Sequence, residues 1–223
     1  MQTIKAAVCH AFGEPLRVED IQLRSPEMGE VEVTLDAVAI CHSDISFAGG
    51  AWGGSLPAVY GHEAAGHISA VGNGVNGLAV GDSVVVTLIR SCGTCPSCAG
   101  GKPTVCETSY DGDRGPIKTA DGGKLHQAMA TGGFAEKVVV DQRQLVKISH
   151  DIPKDAASLI ACGVITGVGA VINAANLRAG QDVVVIGAGG VGLNAIQGAR
   201  IAGARRIVAV DMNEEKLAIA KEF

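Results

Sequence analysis

Aromatic side chains are scarce in this sequence of 223 residues: they make up 3% of it, with a single tryptophan, Trp52. Val, Ile, Leu and Ala must therefore build the core. Positive charge is also in short supply. Lys and Arg number 18 against 23 Asp and Glu, for a net charge of −5. That balance offers no basic footprint for nucleic acid. A long apolar span is missing, and so is a basic start leading into an apolar h-region. Neither a membrane nor a secretory route is expected, and the cytoplasm is the default location. Seven cysteines, an odd count without a targeting signal, argue against a secreted disulfide framework.

What is present is glycine, 31 residues of it, together with short β-type segments. Residues 30–39 alternate, with Val31, Val33, Leu35 and Ala37 on one face, as in a half-buried strand. Further strands are predicted over 80–89 and 134–140, and Cys9 falls in another as a small core residue. The spacing suggests an antiparallel, partly barrel-like β domain. Helical composition takes over at 154–161 and 164–175. Val183–Ile186 is a wholly apolar run, as expected for a parallel strand buried on both faces. A helix over 191–202, a second apolar run over 207–210 and a helix over 213–222 follow. Strand–helix–strand–helix opens a doubly wound α/β sheet, but two strands do not make a sheet that stands alone. The fold class expected is therefore α/β. A β domain over 1–163 precedes a truncated dinucleotide-binding domain of Rossmann type over 164–223.

Four cysteines, Cys92, Cys95, Cys98 and Cys106, lie within fifteen residues. Thiolates two residues apart turn inward on a tight loop, and four of them close a tetrahedral zinc shell, so a structural zinc lobe is expected at about 90–110. Free thiols in a loop and an iron–sulfur cluster are the competing readings. Cys41 opens Cys41-His42-Ser43-Asp44, His62 and Glu63 stand in Gly61-His62-Glu63-Ala64-Ala65-Gly66, and Cys162 precedes Gly163. Together Cys41, His62 and Cys162 supply two thiolates and an imidazole, a catalytic zinc set with one position open. Spacing alone does not bring them together.

Gly187-Ala188-Gly189-Gly190-Val191-Gly192 follows a predicted strand and opens a predicted helix. A second strand then ends at Asp211, about twenty positions on, which is the context a dinucleotide fingerprint requires. In that reading Gly187 allows the turn, Gly189 admits the pyrophosphate and Gly192 lets helix and strand pack closely. Asp211 accepts the ribose hydroxyls and disfavours a 2′-phosphate, so NAD is expected over NADP.

On these motifs the sequence resembles the zinc-containing medium-chain alcohol dehydrogenases, whose β domain is GroES-like. Cys162-Gly-Val-Ile-Thr-Gly167 carries the resemblance too. It implies an enzyme moving hydride from an alcohol to NAD, with two Zn²⁺ per chain. Cys41, His62 and Cys162 would bind the catalytic zinc and Cys92, Cys95, Cys98 and Cys106 the structural one. Glu63 would sit behind or transiently on the metal, and Asp44 would orient the His62 imidazole. Ser43 matches the proton-relay hydroxyl, His42 a pyrophosphate contact, Thr166 a neighbour of the nicotinamide and Lys216 a ribose contact. A helix cap beginning at Ser43 is the plainer reading of that residue.

The pattern also runs close to the glutathione-dependent formaldehyde dehydrogenases, and S-(hydroxymethyl)glutathione is the alternative substrate. Their substrate loop carries acids where this chain reads Ala48-Gly-Gly-Ala-Trp52-Gly-Gly-Ser55, without charge. Ser46 replaces a relay histidine found in some relatives. Outside catalysis, a metal-binding structural relative or a redox-sensing module remains as an alternative. The partners expected are a small alcohol or aldehyde and further copies of the full-length protein, as homodimer or homotetramer. Residues 1–223 alone are expected to be inactive or prone to aggregate.

Overall fold

The computed structural model describes residues 1–223, which form two compact units, Met1–Ala161 and Cys162–Phe223. In the first unit, β1 (Gln2–Cys9) and β2 (Arg17–Leu23) pair antiparallel, with Gln2 opposite Leu23. Ile4, Ala6 and Val8 alternate onto the same face as Ile21 and Leu23, and all five are buried. Cys9 ends β1 with no exposed surface. With β4 (Ala58–Val59), β7 (Ile117–Thr119) and β8 (His126–Gln127), these strands make a five-stranded sheet ordered β7-β2-β1-β4-β8. The β4–β8 pair is parallel, so the expected antiparallel pattern fails at that edge.

A second sheet is ordered β10-β6-β5-β3-β9. Its strands are β3 (Glu30–Ala39), β5 (Glu63–Val71), β6 (Ser83–Thr87), β9 (Lys137–Asp141) and β10 (Leu145–Lys147). Val31, Val33, Val84, Val86, Val138 and Val140 form its core. Each fully buried valine contributes roughly 1.5–3 kcal/mol, which replaces the aromatic mass the chain lacks. β6 is shorter than expected because the Gly81–Asp82 turn takes the first residues. β3 also differs from a half-buried strand. Bulges interrupt it at Glu32/Val33 and Leu35/Ala37, and Glu32 is buried beside Val31 and Val33. Its carboxylate is held by Ser69 Oγ at 2.7 Å and Lys137 Nζ at 2.9 Å.

α3 (Lys154–Leu159) closes the first unit: Ala157 and Ala161 pack against Ala65 and Val85. The helix continues through a π turn at Ile160–Val164, α4 (Ile165–Gly169) and a second π turn at Ala170–Ala174. The whole stretch, Lys154–Ala174, is 21 residues long and apolar enough by length and composition to cross a membrane. That corrects the expectation of no such span. Its charges cluster at the first two positions, Lys154 and Asp155, and leave the remainder uncharged.

In the second unit, β11 (Asp182–Ile186) and β12 (Arg206–Val210) pair parallel, with Ile186 opposite Val210. α5 (Gly190–Ile201) packs Ala195 and Ala199 onto Val183, Val185 and Ile207. α6 (Glu214–Ala220) starts at Asn213, whose Oδ1 accepts from Glu215 N at 2.8 Å. Burial on both faces of β11 does not occur. Val184 is 62% and Ile186 83% exposed, because the helical packing covers only the face that Val183 and Val185 share.

Candidate functional site: two sulfur-rich centres and a glycine turn

The sulfurs of Cys92, Cys95, Cys98 and Cys106 come together on the loop around α2 (Pro96–Ala99), all within 4.8 Å of one another. Cys92 Sγ lies 4.0 Å from Cys98 Sγ, and Cys95 Sγ 3.9 Å from Cys106 Sγ. Zinc–sulfur bonds of about 2.3 Å arranged as a tetrahedron place the sulfurs about 3.8 Å apart, so the cage fits one ion. A cluster of several irons needs its sulfurs farther apart, so the spacing favours a single ion.

Backbone N–H groups turn inward on the same atoms. Thr94 N and Cys95 N donate to Cys92 Sγ at 3.4 and 3.2 Å, and Cys92 N donates to Cys106 Sγ at 3.3 Å. The Thr108 hydroxyl, with these N–H groups and the Thr94 hydroxyl, draws the Cys92 thiol down to about 5. Desolvation pushes Cys98 up to about 11. Four adjacent thiols cannot all ionise without a cation among them, and a dication meets that need.

The second centre is built by α1 (His42–Ala48) and β5. Cys41 is the N-cap residue of α1, so the cap is not Ser43. Asp44, at the third helical position, is 2% exposed and serves three groups. Its Oδ2 accepts from Cys41 N at 3.0 Å, and its Oδ1 accepts from Gly61 N at 3.0 Å. The same Oδ1 lies 3.0 Å from His62 Nδ1. An Nδ1–H donated to Asp44 leaves the Nε2 lone pair for another partner.

His62 is 1% and Glu63 4% exposed, at the point where β5 begins. Cys162 lies in the π turn that continues α3, one peptide bond past Ala161. The Ala161 carbonyl accepts from Thr87 Oγ1 at 2.9 Å. One ligand atom each from Cys41, His62, Glu63 and Cys162 falls within 4.8 Å of the others. The structure thus collects donors far apart in sequence, which spacing alone had left separate. Of the other candidates, Ser43 is half-buried, His42 and Thr166 are exposed, and Thr166 Oγ1 lies 3.9 Å from Cys162 Sγ. Trp52 is 58% exposed and meets Phe47 edge-on at 5.0 Å.

In the second unit the glycine turn joins β11 to α5. Gly187 has φ +95°, a left-handed conformation that disfavours other residues, and a Cβ on Gly192 would lie 1.8 Å from Gly187 O. Gly189 and Gly190 face open space. Asp211 follows β12, and its oxygens accept from Ala188 N at 2.7 Å and Asn213 N at 2.9 Å. The Asn213 and Ala188 N–H groups, with Lys216 nearby, hold that carboxyl below the usual range. Lys216 itself is exposed at the start of α6.

The Alcohol dehydrogenase GroES-like domain family matches residues 27–150, and the Zinc-binding dehydrogenase family matches residues 190–223. The chain belongs to the zinc-containing medium-chain alcohol dehydrogenase family. Among curated relatives, Alcohol dehydrogenase-like 1 of Arabidopsis thaliana is 35% identical, over 99% of this chain and 60% of its own length. An NDMA-dependent alcohol dehydrogenase of Amycolatopsis methanolica is 40% identical, over 93% of this chain and 57% of its own. The chain therefore spans about 60% of the length of the relatives it matches.

Two solved structures share the fold. A zinc-binding-domain alcohol dehydrogenase protein from Burkholderia ambifaria has a TM-score of 0.94 and 38% identity, over 99% of this chain and 62% of that one. Acetophenone reductase from Geotrichum candidum, solved in complex with NAD, has a TM-score of 0.84 and 26% identity, over 100% of this chain and 62% of that one. The GroES-like β domain and the Rossmann-type opening are thereby those of this dehydrogenase family.

Sequence reasoning missed Tyr60. It is 3% exposed, its hydroxyl has no hydrogen-bond partner, and burial pushes its pKa up to about 12. A tyrosine beside a glycine carries no signal that would have marked it.

Proposed function

We propose that the chain supplies the metal-binding domain and the opening of the cofactor domain of a zinc-dependent, NAD-linked alcohol dehydrogenase with two zinc ions per chain. The observation that carries this reading is the convergence of Cys41, His62, Glu63 and Cys162 ligand atoms within 4.8 Å. Two thiolates offset the charge of a zinc ion and leave its centre about neutral, unlike the anionic four-thiolate cage. When bound there, zinc supplies Lewis acidity that eases loss of a proton from an alcohol hydroxyl near neutral pH. NAD supplies the hydride acceptor.

The chain's own groups do the rest. Asp44 fixes the His62 ring so that Nε2 is its metal-facing atom, and Glu63 serves as the buried reserve ligand. The Ser43 hydroxyl accepts the departing proton as it releases its own, and His42, exposed one residue before, passes that proton to solvent. Gly189 and Gly190 let a pyrophosphate approach the α5 N-terminus. Asp211 and Lys216 hold the adenosine ribose, and the carboxylate repels a 2′-phosphate, which selects NAD over NADP. Thr166 flanks the nicotinamide.

The uncharged loop from Ala48 to Ser55 supports a small apolar or aryl alcohol over the formaldehyde–glutathione adduct, because nothing there pairs with a glutathione amine.

Zinc analysis and dinucleotide titration test this reading without relying on turnover. Two zinc ions per chain should fall to one in Cys41→Ser and in Cys162→Ser, and NAD should bind more tightly than NADP until Asp211→Ser narrows the gap. Zinc content unaffected by both cysteine changes, or equal binding of the two dinucleotides, would overturn it. In the protein that contains this chain, short alcohols, aryl alcohols and the glutathione adduct then rank the substrate classes.

A further inference from the structure

Arg143 stands between the second sheet and the four-cysteine lobe, within the first unit. It lies in a short helical turn, Gln142–Gln144, directly after β9. Asp141, which caps that turn, holds the guanidinium by a fork: Nε donates to Oδ1 at 2.8 Å and Nη2 to Oδ2 at 2.7 Å. The fork leaves Nη1 outside the pair. A Cβ on Gly93, between Cys92 and Thr94, would lie 3.2 Å from that nitrogen. Gly93 has φ +78°, so its lack of a side chain serves both the turn between the cysteines and the approach of the guanidinium.

The lobe calls for such a neighbour. Four thiolates overcompensate a dication, so the loaded cage is anionic. An Arg143–Asp141 pair alone would bring it no net charge. Arg90, two residues before Cys92, changes that balance: its Nη2 lies 3.8 Å from Asp141 Oδ2, and its guanidinium covers the Tyr110 ring at 5.4 Å. Two guanidiniums thus share one carboxylate, and the cluster presents net positive charge to the cage. The pair with Asp141, then the Cys92 and Cys106 sulfurs, raise the Arg143 pKa against desolvation, so the side chain stays charged.

We propose that Arg143 stabilises the metal of the four-cysteine lobe by offsetting the charge on its thiolates. The inference rests on those cysteines holding zinc, which Cys95→Ser tests separately. It requires nothing of the Cys41 centre or of the glycine turn. A guanidinium that merely tethered the lobe to β9 would act by shape, whereas this one acts by charge. The two roles differ in their salt dependence and in whether lysine can replace arginine.

Zinc loss to phenanthroline, an uncharged chelator, tests the proposal in the protein that contains this chain. Metal remaining on the protein is counted by elemental analysis, and the kinetic phase absent from Cys95→Ser belongs to the lobe. In Arg143→Gln that phase should run about tenfold faster, the lower end of what partners around a metal are worth, because the side chain is 41% exposed. The other phase should not change. Arg143→Lys, which keeps the charge without the fork, should stay within about threefold of the native protein. Raising salt from about 0.01 to 1 M should shrink the Arg143→Gln gap to less than about threefold. Cobalt in the lobe, read as the difference from Cys95→Ser, reports the charge directly. Its sulfur-to-metal absorption band should move to longer wavelength in Arg143→Gln and hold its place in Arg143→Lys. If Arg143→Gln does not fold, the native protein decides, its lobe zinc leaving faster as salt rises. Unchanged release or an unmoved band in Arg143→Gln, a lysine variant as fast as the glutamine one, or kinetics that salt leaves intact would each overturn the proposal. Were no phase missing from Cys95→Ser, the four-thiolate zinc reading would fall, and this inference with it.

Discussion

Replacing Asp44 with alanine is the perturbation whose cost follows most directly from the structure. Its carboxylate serves three groups, Cys41 N–H, Gly61 N–H and the His62 ring, each at 3.0 Å. Alanine leaves all three without an acceptor in a region where Asp44 and His62 are 2% and 1% exposed. A buried polar group stripped of its partner costs about 1–3 kcal/mol. Three of them that share one acceptor are not additive, and a total of about 3–6 kcal/mol is expected. That is a large part of the 5–15 kcal/mol by which domains are ordinarily stable.

Asp44→Asn separates charge from shape. The amide keeps one acceptor but turns an NH₂ toward one of the donors, so about 1–3 kcal/mol should be lost. Urea unfolding with zinc held in excess measures stability, and competition with a chelator measures zinc affinity. The latter should fall about 10–100-fold as the imidazole loses its orientation. A loss below about 1 kcal/mol for Asp44→Ala, or an asparagine as costly as alanine, would refute the reasoning.

In the four-cysteine lobe, Cys95→Ser should remove one zinc per chain and raise amide exchange over residues 90–110, while the far-ultraviolet circular dichroism of the sheets persists. Elemental analysis and exchange mass spectrometry read both. For Glu32, burial pushes the carboxyl up, but Ser69, Lys137 and Gln2 outweigh it and hold the pKa below its ordinary value. The stabilisation is therefore complete above the unfolded value of about 4.3 and is lost as pH falls through the folded value. Urea midpoints measured from neutral to acid pH should show that loss, and Glu32→Gln should flatten it. Gly192→Ala would place a Cβ 1.8 Å from Gly187 O and should lower the melting temperature of the second unit, whereas Gly189→Ala meets nothing within 4 Å. The latter should melt like the native protein and yet bind NAD more weakly in a titration.

Much of this architecture could be read from residue order alone, for identifiable reasons. The four-cysteine lobe was legible because its donors are neighbours in sequence, so loop geometry brings them together. The glycine turn was legible because Gly187 and Gly192 occupy backbone positions that other residues do not fit. Convergence of Cys41, His62 and Cys162 was not legible by spacing, since it depends on sheet pairing and on a helix that begins at Lys154. Resemblance pointed to it, and folding physics alone did not. Reading β11 as doubly buried failed because an apolar run records only what a strand can cover, while Val184 and Ile186 stand exposed here. Glu32 ran against its own strand's alternation because bulges in β3 bring neighbouring residues inward together.

The π turn at Ile160–Val164 makes chain length itself a constraint. Such turns hold one residue more than a regular helical turn. Trimming that residue would swing everything beyond it by about 100° around the helix axis and carry the Cys162 sulfur off its heading. Surface turns such as the one at Gly122 absorb insertions and deletions readily, but this segment has no slack to give. Anyone grafting, shortening or recombining chains of this kind should keep the register between Lys154 and Cys162 untouched.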